Sequence, residues 1–151
     1  MSYGFFVENL PDEIVGIIRA YYDPETGYYR DRIHEIIEKY SIIPIGFDVI
    51  NIVSGCKTFR EDQIMNIIRC YKEEIPNVFE PLKRYNLGSY RGKHVIEQYR
   101  RHVDKYNYIS NGEFMIAMIM SGYEFKVGGE FNPSCYFRCR IKPILRKTIR
   151  F

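Results

Sequence analysis

A chain of 151 residues is about the length of one domain and can bury a core without disulfides or metal ions. Its longest near-continuous apolar run, residues 114–120, is far too short to cross a bilayer, which takes about 20 residues. Its first residues lack the basic and apolar regions of a signal peptide, so its four cysteines are expected to be reduced thiols. We therefore expect a protein of the cytoplasm, the nucleus or the interior of a particle, and not a secreted one.

The first predicted elements are two helices, each marked by apolar residues at helical spacing. The first covers residues 14–21, with Asn9 as its N-cap and Pro11 in its first turn, and it ends at Pro24. The second covers residues 33–40 and is stopped by Pro44.

A third helix is predicted over residues 64–75. The pattern Thr58-x-x-Glu61 reads as a capping box at its start, and Pro76 ends it. The apolar piece Phe47–Val53 between the second and third helices fits either a helix or a buried strand.

The second half predicts two helices and then two strands. A helix runs from about Tyr90, and a second helix, capped by Ser110 and Glu113, ends at Gly122. Alternating apolar residues then predict strands over 123–127 and 135–141, joined by a glycine turn. This order is that of a winged helix-turn-helix, and of many other small α+β units. The predicted fold class is therefore mainly α with a small β-hairpin (α+β).

Charge divides the chain into two parts. Residues 1–81 form an acidic helical part with a net charge of −6, and residues 82–151 form a basic α+β part with a C-terminal tail and a net charge of +9. The two parts are either separate domains or share one core. The asymmetry predicts an anionic partner for the basic part, or an acidic face that docks on a basic one. The alternative is a solvated surface on which the charges happen to segregate.

Basic residues of the second part are the candidate binding residues, either for phosphate groups or for a protein partner. They are Arg91, Lys93, Arg100, Arg101, Arg138, Arg140, Lys142, Arg146, Lys147 and Arg150. The first four are predicted to lie on the solvent face of the helix that begins near Tyr90. The alternative for the other six is a strand edge and tail kept soluble by charge. Apolar residues within the tail, from Ile141 to Phe151, suggest docking on other protein subunits.

The helix after Ser110 bears on whether the chain reads a DNA sequence. A recognition helix presents polar and basic side chains to base edges, but residues 114–120 are apolar on almost every side. We therefore expect this helix to be buried, which leaves only sequence-neutral phosphate binding by the preceding helix and the tail.

No motif in the sequence indicates catalysis, a metal site or a cofactor. Cys135 and Cys139 lie four residues apart on one strand and lack a second ligand pair, so they are read as small buried hydrophobic residues. An enzyme hypothesis has only His94, Glu97 and Asn111 to offer, without a motif that joins them. We predict no cofactor, no small-molecule substrate and no enzymatic activity.

Four short patterns in the second half resemble a small uncharacterised domain of large DNA viruses and phages. They are Gly88-Ser89-Tyr90-x-x-Lys93-His94-x-x-Glu97, Tyr108-x-Ser110-Asn111-Gly112-x-Phe114-x-x-Ala117, Gly122-Tyr123 and Asn132-Pro133-Ser134-x-Tyr136-Phe137. The resemblance covers about a third of the chain and implies a viral origin but no mechanism. The expected function is that of a non-enzymatic structural or interaction protein, such as a minor capsid protein or another virion component. The alternative is a sequence-neutral nucleic-acid-binding protein of winged-helix-like architecture.

Overall fold

A computed structural model describes residues 11, 24–49, 57–103 and 107–150 of the chain. Helices and small antiparallel sheets alternate along it, which places the protein in the α+β class. The predicted helix over 14–21 lies outside the described residues.

Helix α1 spans Pro24–Tyr40 and buries Ile33 and Ile36, as its apolar spacing predicts. It is followed by a tight hairpin of β1 (Ile42–Ile43) and β2 (Gly46–Phe47), which holds Pro44 in its turn. The apolar piece predicted over 47–53 therefore begins at the last residue of strand β2. Residues 50–53 of that piece lie outside the described part of the chain.

The third predicted helix is longer and less regular than its pattern indicates. Helix α2 spans Glu61–Arg69, a π-helical turn covers Cys70–Glu74, and helix α3 spans Ile75–Val78. The predicted ending at Pro76 is wrong. Pro76 has no N–H and its ring would crowd the carbonyl four residues earlier, so the widened π turn before it accommodates the ring and the helix continues.

The predicted capping box of this helix is also wrong. The N-cap is Arg60, whose backbone N–H donates to Gln63 Oε1 at 2.8 Å. Thr58 lies too early, because helical geometry begins only at Glu61.

The two helices of the second half form as predicted. Helix α4 spans Ser89–Val103 and helix α5 spans Asn111–Met120. The capping box of α5 is present, since the Glu113 N–H donates to Ser110 Oγ at 3.1 Å and the Ser110 N–H donates to Glu113 Oε2 at 2.8 Å. Gly122 follows α5 with a φ of +85°, the left-handed conformation expected of a C-terminal cap.

The strand predicted over 135–141 is two strands that belong to different sheets. Strand β6 (Cys135–Phe137) lies between β4 (Leu87–Gly88) and β5 (Phe125–Val127) in a three-stranded antiparallel sheet. Strand β7 (Cys139–Ile141) pairs instead with β3 (Phe79–Pro81). A short helix, α6 (Pro143–Thr148), follows in the tail, where none was predicted.

Helix α5 is the centre of the core. It packs against α1, α2, α4 and the β1–β2 hairpin, and all but one of its residues are buried. The cluster of buried apolar residues includes members from both sides of position 81, such as Ile67 and Phe137. The acidic and basic parts of the sequence thus contribute to one core.

Candidate anion-binding surface

Strands β6 and β7 present one apolar and one polar face. Cys135, Phe137, Cys139 and Ile141 are buried, as their alternation predicts. Between them, Tyr136, Arg138 and Arg140 point outward, with Tyr136 and Arg140 exposed and Arg138 half-buried. Lys126 of β5 lies directly opposite Tyr136 and adds a further cation to this outer face.

Residues 82–86 form a loop that bulges from the edge of this ladder. Its ends are fixed by backbone hydrogen bonds, because the Leu82 N–H donates to Arg138 O at 3.1 Å and the Asn86 N–H donates to Phe137 O at 3.0 Å. The loop adds Lys83, Arg84 and Tyr85 to the outward-facing residues.

The Tyr85 ring organises the cations around it. The Arg138 guanidinium carbon lies 4.5 Å from the ring centroid and Lys126 Nζ lies 5.1 Å from it. Such cation–π contacts hold long basic side chains in place without neutralising their charge. We call the outward-facing residues of β5, β6, β7 and the 82–86 loop the basic sheet face.

At one end of the basic sheet face lies a cavity of about 410 Å³ that we call the arginine pocket. Three arginines line it, together with apolar residues and one amide: Arg84, Arg140 and Arg146, with Leu82, Asn86, Ile141 and Pro143. Guanidinium groups present flat forks of N–H donors that match the oxygens of a phosphate or carboxylate. A pocket lined in this way favours an oxyanion.

Few carboxylates compensate this positive charge. Glu80 pairs with Arg140 at 2.6 Å, and Glu124 pairs with Arg138 at 2.8 Å. Within the described part of the chain, Arg84 and Arg146 have no ion pair, and both are exposed. The face therefore retains net positive charge that solvent alone screens.

Four of the ten candidate residues are brought together here: Arg138, Arg140 and Arg146, with Lys142 beside them. Lys142 Nζ donates to the Pro76 carbonyl at 2.6 Å, so one of its donors is used inside the fold. Lys147 and Arg150 are exposed in the same tail, and Arg91 and Arg101 are exposed on α4.

The prediction that Lys93 and Arg100 face solvent is wrong. Arg100 is 0% exposed and binds Glu74 through three contacts of 2.7 to 2.9 Å, while its Nη1 donates to the Tyr108 carbonyl. Lys93 is also buried, and its Nζ donates to the Ile109 carbonyl at 3.0 Å. Both cations fix the segment that leads into α5, and neither can reach a phosphate in this conformation.

Three of the predicted docking residues of the tail are covered by the chain itself, and Phe151 lies outside the described residues. Ile141 and Ile149 are buried and Leu145 packs against the core, which leaves Ile144 as the exposed apolar residue of α6. Ile141, Leu145 and Ile149 are therefore explained by packing within the chain, and docking on another subunit stays a prediction.

Arg84 and Tyr85 belong to this face but are not among the ten candidate residues, because they lie between Pro81 and Gly88 in a segment without helical or strand periodicity. Two adjacent basic residues followed by tyrosine, between prolines and a glycine, were the available signal.

Two of the motif patterns have architectural roles. Asn111 Nδ2 donates to the Ile45 carbonyl and to Ser134 Oγ, and the Phe47 N–H donates to the Pro133 carbonyl. The first contact binds the β1–β2 hairpin to the start of α5, and the other two bind both elements to the segment at Pro133 and Ser134. Asn111 makes these structural contacts, and His94 and Glu97 pair with each other, with His94 Nδ1 2.9 Å from Glu97 Oε1.

The described cysteines, Cys70, Cys135 and Cys139, are free and buried. Burial raises the pKa of both the Cys135 and the Cys139 thiol to about 12, so neither is a nucleophile at neutral pH. Across residues 24–49, 57–103 and 107–150, no three side chains of His, Cys, Asp or Glu are placed to bind a metal ion together. In the same ranges, no helix is both long and apolar enough to cross a membrane.

No protein-family model matches this chain, and no curated protein or solved structure matches it significantly.

Proposed function

We propose that this protein is a non-enzymatic binding protein that holds the phosphate backbone of nucleic acid on its basic sheet face, without reading the base sequence. The observation that carries the proposal is the arginine pocket, in which Arg84, Arg140 and Arg146 line one cavity with a single paired carboxylate beside it. A repeating polyanion can occupy this pocket and the Lys126–Arg138 part of the face at once.

The burial of α5 supports sequence-neutral binding. Direct readout in the major groove needs an exposed helix with polar side chains, and α5 is enclosed by its neighbours. A winged-helix-like arrangement of α4, α5 and the β5–β6 hairpin is part of the proposal, but its strands, and not its second helix, would contact the ligand.

A salt series tests this function. Fluorescence anisotropy with a labelled DNA of random sequence should show affinity that falls steeply with salt, with a logarithmic slope of about −0.9 per phosphate contact on a duplex. Arg84→Gln and Arg146→Gln should each reduce that slope by about one and weaken binding to all sequences alike. Arg32→Gln, at an exposed position on α1, is the matched control and should change neither quantity. Absence of binding at low salt would overturn the proposal.

A second candidate function is that of an assembly subunit, such as a minor capsid protein or another virion component of a large DNA virus. Its support is the viral resemblance of the motif patterns and the exposed apolar residues Val127 and Phe131 on the β5–β6 hairpin. Apolar side chains exposed on a hairpin suit a protein interface. Mass spectrometry of purified particles tests it, since absence at structural copy number would exclude the role.

A further inference from the structure

We propose that Tyr90, His94 and Tyr108 form a stacking site for unpaired nucleobases, so that the protein prefers single strands to duplexes. This inference rests on the proposed function and adds the class of nucleic acid. It concerns a cluster formed by α4 and by Tyr108 after that helix, whose residues do not line the arginine pocket.

Three rings are exposed at this cluster, at 60% for Tyr90, 52% for the His94 side chain and 54% for Tyr108. The Tyr90 and His94 ring centroids are 4.6 Å apart with an interplanar angle of 87°. Aromatic groups exposed to this degree have surface left for a ligand, and every base offers a π face to stack on them.

The cluster is held in place from below by Lys93. Its Nζ lies 4.9 Å from the Tyr108 ring centroid and 5.8 Å from that of Tyr90. Lys93 is itself fixed by the Ile109 carbonyl and by Glu97, at 3.0 and 3.4 Å. The rings are therefore ordered before a ligand arrives, which lowers the entropic cost of stacking.

The charge around the rings suits a nucleic acid. Among the described residues, the carboxylate in contact with the cluster is that of Glu97, which is buried and engaged by Lys93 and by His94. Arg101 lies two helical turns after His94 on the same face of α4, about 10 Å along the axis, and is exposed. A strand whose bases stack on the rings can thus place a phosphate near Arg101.

The cluster also adjoins the basic sheet face. The Tyr136 ring lies over Gly88, where an added Cβ would be 3.6 Å from it, and α4 begins at the next residue. One strand of nucleic acid could run from the arginine pocket across Tyr136 towards Tyr90. An alternative role for the rings is to shield Lys93 from solvent. That role would use only the ring faces that contact Lys93, and it would not require Arg101 on the same side of α4.

The test compares a labelled thymidine 20-mer with a duplex of the same length, by anisotropy on the full chain. Tyr90→Ala and Tyr108→Ala should each weaken single-strand binding by about fivefold to 150-fold, the range for loss of one base–aromatic stack. Tyr90→Phe should bind like the wild type, because it keeps the ring. Tyr28→Ala, which removes an exposed tyrosine from α1, is the matched control and should have no effect. Thermal unfolding by circular dichroism verifies that each variant is folded.

The outcomes separate this inference from the function on which it rests. Equal binding of single strand and duplex, with alanine variants that bind like the wild type, would overturn the stacking site while the salt-dependent function stands. The cluster would then be available to a protein partner. Failure of the wild type to bind either ligand at low salt would overturn both.

Discussion

Arg100 was predicted to bind a ligand, but its buried position indicates that it stabilises the fold. Replacement of Arg100 by methionine tests which of these two roles it has. Arg100 and Glu74 are 0% and 2% exposed, and they meet through short, direct hydrogen bonds. Burial lowers the pKa of the Arg100 guanidinium, but the hydrogen bonds and charge of Glu74 outweigh this effect and raise it above the ordinary value. Arg100 therefore stays protonated inside the fold.

Arg100→Met leaves the buried Glu74 carboxylate without its main partner and removes one of two donors to the Tyr108 carbonyl, which keeps Asn66 Nδ2 at 3.2 Å. Removing one member of a buried pair costs about 3–5 kcal/mol, more than the pair contributes relative to an apolar replacement. For a chain of 151 residues this corresponds to a fall in Tm of roughly 6–20 °C. Replacing both residues, as Arg100→Met with Glu74→Leu, should recover most of the loss, since no buried charge then remains unpaired.

Urea unfolding followed by circular dichroism measures both variants, and the Glu74→Leu single variant completes the cycle that yields the coupling energy of the pair. Arg101→Met, on the exposed neighbour, is the control and should stay within about 0.5 kcal/mol of the wild type. An Arg100→Met protein with wild-type stability but weakened DNA binding would refute this reasoning. It would show that Arg100 binds the ligand and does not stabilise the fold.

Three further predictions concern packing and reactivity. Gly112→Ala should lower the free energy of unfolding by about 3 kcal/mol in urea titration, because its Cβ would lie 2.0 Å from a backbone carbonyl oxygen of the β1–β2 hairpin. Gly27→Ala is the control: its Cβ would have nothing within 4 Å, so it should be neutral or stabilise the fold by up to about 1 kcal/mol. Equal effects of the two changes would contradict the close approach at α5. Ser110→Ala should cost about 1 kcal/mol by the same measurement, through loss of the cap of α5, and an unchanged midpoint would mean that the cap contributes nothing. Because burial raises the pKa of the Cys135 and Cys139 thiols to about 12, only about one in ten thousand is thiolate at pH 8, so peptide-level mass spectrometry should find both unmodified by iodoacetamide until urea unfolds the chain. Rapid labelling of the native protein would show that they are accessible.

Periodicity predicted the elements whose own residues determine them. Apolar spacing located helices α1 and α4, whereas the capping box at Ser110 and the glycine at 122 located helix α5. These features depend on contacts between residues close together in the chain, so a short stretch of sequence is enough to predict them. The predicted strand over 135–141 is divided at Arg138 because β6 pairs with β4 and β7 pairs with β3. This division depends on strands distant in sequence, so the residues around Arg138 do not predict it.

Buried charge was missed for a related reason. Lys93, Ile96 and Arg100 fall at i, i+3 and i+7 and so share the buried face of α4, but a search for apolar residues counts charged positions as solvent-facing. Nothing near Arg100 in the sequence identifies its partner, because Glu74 lies 26 residues away. A charged residue in register with an apolar stripe is a signal for an internal pair that could have been used.

Internal pairing also decides where the remaining positive charge lies. Two acids of the first part neutralise basic residues of the second, Glu74 inside the core and Glu80 at the edge of the arginine pocket. Arg84 and Arg146 are left exposed beside that pocket, so the surface field is more concentrated than a net charge of +3 implies. A concentrated field of this kind raises the rate of encounter with a polyanion and is screened within about 10 Å at 0.1 M salt. Substitution of Arg84 or Arg146 should therefore reduce the salt dependence of the association rate. Substitution of a basic residue elsewhere, such as Arg32, should leave it unchanged.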